Sequence, residues 1–161
     1  MNITTFENLF NLTGRHALIT GATQGIGRSI AHRLTQAGAE VILHCRNDRP
    51  ELHSLIDELS QLNKKKPKYI TGDLRTPEVC SEIMRRSMEQ VPHLDILINN
   101  AGINRTADFV DQTDKEWDEV IETNLTGIFT LSSTNLFPIL AGVNFHFFSV
   151  SRLVLSSTLK P

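Results

Sequence analysis

The stretch Thr20-Gly-Ala-Thr-Gln-Gly-Ile-Gly27 decides how this chain folds. It follows a short apolar run, residues 16–20, and precedes apolar residues at helical spacing from Ile26 to Ala37, so it predicts a strand-to-helix turn. Its glycines permit a tight turn (Gly21), close approach of the backbone to a pyrophosphate (Gly25) and close packing of helix on strand (Gly27). The helix start also offers free N–H groups and a partial positive charge to an anion. The turn therefore predicts a phosphate site, and a glycine-rich connection without a ligand stays open as the alternative.

Short apolar runs alternate with longer helical patterns over the rest of the chain, which predicts βαβ units around a parallel sheet. The predicted strands cover residues 16–20, 41–44, 69–71, 94–99 and 143–150. Helices are predicted to begin near Ile26, at Pro50, at Thr76-Pro77 and at the capping box Thr113-x-x-Glu116. Their expected apolar stripes include Leu62, Met88, Trp117, Leu125 and Phe129.

The composition narrows the possible partners. The 161 residues carry a formal net charge of −2, which gives no electrostatic reason to expect a nucleic acid or a membrane as partner. The basic run Lys64–Lys68 is interpreted as a solvated turn, with a nuclear-targeting or nucleic-acid role as the alternative. Cys45 and Cys80 form no CxxC pair and the six histidines lack metal-ligand spacing, so no metal site is expected. Met1–Leu12 has no basic n-region and no apolar run suits a membrane helix, which predicts a cytoplasmic protein.

Three further motifs accompany the G-x-x-x-G-x-G turn. They are Asp73-Leu74 after the third strand, Asn99-Asn-Ala-Gly102 at the end of the fourth, and Asn124 within Glu122-Thr-Asn-Leu125. In this order and spacing, the motifs resemble the classical short-chain dehydrogenase/reductase family over about residues 10–140. The resemblance implies an α/β fold, a Rossmann-like doubly wound parallel sheet with helices on both faces, in a single NAD(P)-binding domain over residues 1–161. It also implies hydride transfer between NAD(P)(H) and a small-molecule carbonyl or secondary alcohol.

The resemblance also assigns roles to single residues. The cofactor-binding set comprises Gly21, Ala22, Thr23, Gln24, Gly25, Ile26 and Gly27 in the turn, Arg46 after the second strand, Asp73 and Leu74 near the adenine, and Asn100, Ala101 and Gly102 beside the cofactor. Asn124 matches the family's catalytic asparagine. Ser149 is expected to match the catalytic serine at the end of the fifth strand, with Ser151 as the alternative.

The choice of cofactor depends on the end of the second strand. Relatives that prefer NAD carry an acid there, whereas this chain has Cys45 followed by Arg46. A guanidinium can pair bidentately with a 2′-phosphate, so NADP is favoured and NAD stays possible. The alternative is an arginine that faces solvent on a loop. Gln24 supplies no second positive charge near the glycines.

The family's Tyr-x-x-x-Lys pair is missing from the sequence. The one tyrosine, Tyr69, lies on the predicted third strand and is followed four residues later by Asp73. Residues 141–161 form an atypical tail, so the chain is expected to be truncated after about the fifth strand. A truncation, a shifted reading frame or a splice alternative would each produce this pattern.

Three hypotheses about function follow. The first is an oxidoreductase of the family, with Asn124 and Ser149 as surviving catalytic residues and activity doubtful in this chain. Residues 115–124 look most like 3-oxoacyl-[acyl-carrier-protein] reductases, and sugar-acid dehydrogenases are similar over the same stretch. The second is a non-catalytic dinucleotide-binding fragment, or a partner of a full-length relative through the helix from Trp117 to Leu131. The third is an unstable product without a function. The resemblance implies a homo-oligomer, and the missing C-terminal segment, which carries part of the subunit interface in relatives, argues against one here.

Overall fold

Five parallel strands form the sheet. In the computed structural model of the chain, residues 10–105, 111–134 and 146–149 are described, the last four as backbone only. The strands are β1 (His16–Ile19), β2 (Glu40–Cys45), β3 (Lys68–Thr71), β4 (Ile96–Asn99) and β5 (His146–Ser149). Their order in the sheet is β3-β2-β1-β4-β5, and every neighbouring pair is parallel. The prediction of an α/β fold with a parallel, doubly wound sheet is confirmed.

Helices cover both faces of this sheet. They are α1 (Gly25–Gln36), α2 (Pro50–Asn63), α3 (Pro77–Gln90), α4 (Asp114–Ile121) and α5 (Gly127–Thr134), with a π-helical turn (Glu122–Thr126) between the last two. Apolar residues of α1 and α2 belong to one core cluster, and those of α3 and α5 belong to the other. Each cluster lies on one face of the sheet, so the molecule has three layers.

Strand β1 shows why the sequence forms a buried central strand. All four of its residues are buried, and it pairs with β2 on one side and β4 on the other. Because successive side chains point to opposite faces, Ala17 and Ile19 join the first cluster while Leu18 joins the second. Past His16 the strand is apolar, as expected where both faces are covered.

The helix boundaries follow from local signals, with two differences from prediction. Thr113 and Glu116 form the predicted capping box, since Thr113 Oγ1 accepts from the Glu116 N–H at 3.3 Å and Glu116 Oε2 accepts from the Thr113 N–H at 3.0 Å. Thr76 stands at the N-cap of α3, but its side chain makes no capping hydrogen bond. The buried stripe of α3 ends on Ser87 rather than Met88, and the buried Ser87 hydroxyl is satisfied because it donates to the Ile83 carbonyl at 2.7 Å.

Several apolar helix residues are exposed instead of buried. The expected buried stripes were wrong at Leu62 and Met88, which are 45% and 38% exposed. In the apolar pattern after the capping box, Trp117, Leu125 and Phe129 are 55%, 57% and 72% exposed. Leu131, by contrast, is fully buried. The helical pattern alone does not distinguish a side chain that faces the sheet from one on the outer surface of the same helix.

The predicted atypical tail lies outside the described residues, apart from the β5 backbone. Ser151 and residues 1–9 also lie outside the described residues. Within the described part of the chain, no helix combines the length and the apolar character needed to cross a bilayer.

Candidate functional site

A cleft of about 320 Å³ opens at the carboxyl ends of β1 to β4. The chain order of the strands reverses between β1 and β4, so the cleft lies at the switch point where doubly wound sheets bind ligands. Each of the four loops that follow these strands contributes to its wall. The site is therefore built by the fold rather than by one motif.

The glycine turn forms one wall of the cleft. Gly21, Thr23, Gln24 and Ile26 line it, and Ile26 is consequently 46% exposed although it is apolar. Ala22 is fully buried beneath them, where its N–H donates to the His44 carbonyl at 3.0 Å. The predicted residues of this turn are thus brought together, but Ala22, Gly25 and Gly27 are not part of the cleft wall.

Two of the glycines are required by the backbone. Gly25 has φ +54°, a conformation that side chains disfavour, and a Cβ there would meet no atom within 4 Å. The space above Gly25 is open. At Gly27 a Cβ would lie 2.3 Å from the Gly21 carbonyl oxygen and 2.4 Å from Asn100 Nδ2, so helix α1 can approach the turn this closely only with glycine.

The loop after β4 is hydrogen-bonded to the glycine turn. Asn100 Nδ2 donates to the carbonyls of Thr20 and Gly21, each at 3.0 Å. Thr20 Oγ1 accepts from the N–H groups of Asn100 and Ala101, also at 3.0 Å, and donates to the Ile98 carbonyl at 3.2 Å. These bonds fix two walls of the cleft to each other, and Ala101 and Gly102 line it.

The N-terminus of α1 is open to an anion. Its N-cap residue, Gln24, makes no side-chain capping bond, and the first turn contains no acidic residue. The helix dipole and the first N–H groups are therefore not neutralised by a side chain of the first turn.

The end of β2 supplies positive charge to the cleft. Arg46 and Arg49 both line it, and neither forms an ion pair with any residue in the described ranges. Cys45 is buried, its Sγ donates to the Asn47 carbonyl at 3.1 Å, and burial raises the pKa of this thiol. The strand therefore ends in a neutral thiol followed by guanidinium groups. The sequence prediction named Arg46 but missed Arg49, which is brought to the cleft at the N-cap of α2.

His44 is a buried residue of the cleft wall that sequence reasoning also missed. Its Nε2 lies 3.0 Å from the Gly72 carbonyl oxygen, and burial lowers the pKa of the imidazole to about 4 even though this hydrogen bond opposes the shift. At neutral pH the ring is uncharged, so Nε2 carries the proton and donates it to Gly72. This contact joins β2 to the loop after β3.

The carboxylate of Asp73 lines the cleft but is engaged by Arg75. The Arg75 side chain donates to both oxygens, with Nη2 2.7 Å from Oδ2 and Nε 3.1 Å from Oδ1, and its own N–H adds a bond of 3.1 Å. These bonds hold the pKa of Asp73 below its ordinary value against the opposing effect of burial. A role for Asp73 and the buried Leu74 next to an adenine stays a prediction.

Arg75 begins a chain of charges along this wall. Its Nη1 lies 3.1 Å from Glu119 Oε1 on α4, and Glu119 also binds Arg105 of the loop after β4. The Glu119 side chain is 16% exposed, so the carboxylate that binds both guanidinium groups is largely shielded from solvent. No motif in the sequence pointed to these three residues because they come together only in the folded chain.

Asn124 lies in the π-helical turn and holds the loop after β4. Its Nδ2 donates to the Ile103 carbonyl and its Oδ1 accepts from the Ile103 N–H, both at 2.9 Å. Both polar atoms of the side chain are thus occupied by backbone. The predicted catalytic role of Asn124 is not tested by this geometry, which shows the side chain in a positioning contact.

The structure says less about Ser149 and Tyr69, the last two residues singled out in the sequence. Ser149 lies on β5 opposite Asn99 in the parallel register, and its side chain lies outside the described atoms. Tyr69 lies on β3, is 39% exposed, contacts the ring of His53 at a centroid distance of 6.1 Å and does not line the cleft.

Comparison with known proteins identifies the family. The model of the short chain dehydrogenase family matches residues 15–142. The chain is 37% identical over 125 residues to "Oxidoreductase UcpA" of Escherichia coli strain K12, and these residues are 78% of this chain and 46% of that protein. It is 36% identical over 126 residues to "3-oxoacyl-[acyl-carrier-protein] reductase FabG" of Vibrio cholerae, covering 78% of this chain and 50% of the reductase.

A solved structure gives the same result. The crystal structure of a short chain dehydrogenase from Burkholderia cenocepacia in complex with NADP superimposes with a TM-score of 0.74 at 29% identity, over 78% of this chain and 51% of that one. The chain belongs to the short-chain dehydrogenase/reductase family, as the resemblance of its motifs implied. It spans about half the length of the curated relatives it matches.

Proposed function

We propose that this chain binds NADP(H) in the cleft, as the nucleotide-binding part of a short-chain oxidoreductase. The observation that carries the proposal is the glycine turn, in which a left-handed Gly25 leaves open space beside an uncapped helix N-terminus. A pyrophosphate needs this combination of close backbone approach and free N–H groups. The residues present therefore fit a dinucleotide.

NADP is proposed over NAD because of the charge at the end of β2. Arg46 and Arg49 face the cleft and Cys45 stands where an acid would hold a ribose diol. A 2′-phosphate would gain charge-assisted bonds from either guanidinium, and NAD would gain none. The Burkholderia cenocepacia relative, whose structure is a complex with NADP, supports this choice.

When bound, the cofactor would supply hydride transfer to a carbonyl carbon, or from the carbinol carbon of a secondary alcohol in the reverse direction. The described residues orient the dinucleotide: Asn100 and Thr20 fix the turn, and Asn124 fixes the loop after β4. We propose a 3-oxoacyl thioester or a sugar-acid type compound as the substrate class of the whole enzyme, which the similarity to the Vibrio cholerae reductase supports for the thioester.

We further propose that these 161 residues alone bind the cofactor without turning over a carbonyl. Proton transfer needs a positioned acid, worth roughly 10²–10⁴-fold in rate, and the one tyrosine of the sequence, Tyr69, lies outside the cleft. The second candidate function, a non-catalytic dinucleotide-binding partner of a full-length relative, follows from the same observation.

Calorimetric titration of the purified chain with NADP and with NAD tests the binding proposal. We expect NADP to bind more tightly, and Arg46→Ser to weaken NADP roughly 10- to 100-fold, the value of one charge-assisted bond, while NAD binding is unchanged. Arg86→Ser is the matched control, since Arg86 is exposed on α3 and does not line the cleft. If neither nucleotide binds, or if both arginine variants behave alike, the proposal fails.

An assay of NADPH oxidation tests the proposal that these 161 residues alone do not turn over a carbonyl. We expect no oxidation above background with an acetoacetyl thioester or another ketone, and recovery of activity when a family-like segment follows residue 140. Turnover by the unextended chain would contradict this proposal and the non-catalytic function alike, and a lack of recovery in the extended chain would count against a role as part of an oxidoreductase.

A further inference from the structure

A second cluster of chemically active side chains lies at the opposite end of the sheet from the cleft. His16 begins β1, and His93 and Asp95 precede β4 in the loop that leads into it. The pairing of β1 with β4, in which Ala17 lies opposite Ile96, brings residues nearly eighty positions apart into contact. We propose that these three residues form a binding site for a divalent transition metal ion such as Zn²⁺.

The distances between the ligand atoms suit such an ion. His16 Nδ1 lies 3.5 Å and His93 Nε2 lies 3.3 Å from the same oxygen, Asp95 Oδ2. The three atoms all lie within 4.8 Å of one another. Ligands in a tetrahedral zinc site, with bonds of 2.0–2.2 Å, are separated by about 3.4 Å. A small movement of the two imidazole rings towards each other would place all three ligand atoms around one ion.

An unsatisfied nitrogen points to a ligand at this position. The His16 side chain is nine-tenths buried, and its Nδ1 has no hydrogen-bond partner, although Asp95 is close. A buried polar atom without a partner is rare in folded proteins. The His16 and His93 rings meet edge to face with centroids 5.0 Å apart, which holds both beside the carboxylate.

The carboxylate is available as an anion. The backbone N–H of His16 donates to Oδ2 at 2.8 Å and Arg15 Nη1 donates to Oδ1 at 2.7 Å, and both bonds stabilise the carboxylate. Oδ2 uses one lone pair to accept from the backbone N–H of His16, and its second lone pair is left for the ion. His93 is half exposed, which leaves an entry path and an open coordination position for water.

The ligand set selects the class of metal. Two imidazoles and one carboxylate suit Zn²⁺, Co²⁺ or Ni²⁺, whereas Mg²⁺ and Ca²⁺ prefer oxygen ligands alone. Both cysteines of the chain are buried and do not offer a competing thiolate site. The site is remote from the proposed cofactor cleft, so its loss and the loss of NADP binding are separate outcomes.

The test is a Co²⁺ titration of the full chain, with any histidine tag removed, followed by visible absorption. We expect one equivalent of Co²⁺ to bind with the intense bands of a low-coordinate site, and Zn²⁺ to displace it. His93→Asn should weaken binding at least roughly tenfold. The matched control is His53→Asn, because His53 is also exposed and has a carboxylate, Asp48, 2.7 Å from its Nε2.

Paramagnetic broadening tests the same site without a substitution in the buried core. The ring signals of His16 and His93 should broaden on addition of one equivalent of Co²⁺, while those of His53 stay sharp. No saturable binding below millimolar Co²⁺, equal weakening by the two variants, or broadening of all three rings would overturn the proposal.

Discussion

Removal of the Asn100 side chain tests how the cleft is held together. In Asn100→Ala, the two bonds from Nδ2 to the Thr20 and Gly21 carbonyls, both 3.0 Å long, are lost, while the backbone bonds to Thr20 Oγ1 can remain. Each bond of this kind contributes about 0.5–1.5 kcal/mol net. The free energy of unfolding should therefore fall by about 1–3 kcal/mol.

Urea unfolding followed by circular dichroism measures this change. With an m-value of about 2 kcal/mol/M, a loss of about 2 kcal/mol lowers the midpoint by about 1 M urea and leaves the slope unchanged. Asn63→Ala is the control, because the Asn63 side chain makes one bond to backbone, accepting from the Lys65 N–H at 3.0 Å, but this bond is exposed at the C-terminal end of α2. We expect that control to lose less than about 0.5 kcal/mol. Equal midpoints for the two variants would refute the reasoning.

Three further predictions concern stability. Thr113→Ala removes the capping box and should cost about 1 kcal/mol in urea unfolding, whereas Glu116→Gln keeps both bonds and should cost much less; equal losses would contradict the role of the cap. Gly27→Ala places a Cβ 2.3 Å from a carbonyl oxygen and should lower the thermal midpoint markedly, so an unchanged midpoint would show that the turn can move. The pKa of His44 is lowered to about 4 from an ordinary 6.5, so between pH 4 and pH 6.5 the unfolded chain binds more protons than the folded chain. The contribution of His44 to the free energy of unfolding is therefore complete above pH 6.5 and falls by up to about 3 kcal/mol towards pH 4. His44→Gln should flatten that part of the pH profile, and an unaltered profile would count against the assignment.

The sheet was predictable because its signals are local. The apolar residues of β1 and the glycines that follow it lie within twelve positions, and the capping box of α4 spans four. The spacing of apolar residues and the residue types at turns and helix ends are sufficient to predict such features.

The contacts that shape the site were not predictable, because they join distant parts of the chain. Asn124 binds the backbone of Ile103 across 21 positions, and Asn100 binds that of Gly21 across 79. The exposure of Phe129 beside the buried Leu131 likewise depends on which side of the helix the sheet covers. Sequence patterns identify what a residue can bind, and the fold decides which partner it meets.

The ionic chain from Asp73 through Arg75 and Glu119 to Arg105 has an electrostatic consequence for the proposed ligand. Two acids and two bases alternate along it, so this rim is electroneutral and exerts little net field on an approaching polyanion. The groups that attract the nucleotide are then the N-terminus of α1 and the guanidinium groups of Arg46 and Arg49 after β2. Added salt should therefore lower the rate of nucleotide binding by screening those groups. The neutral rim should add no salt dependence of its own.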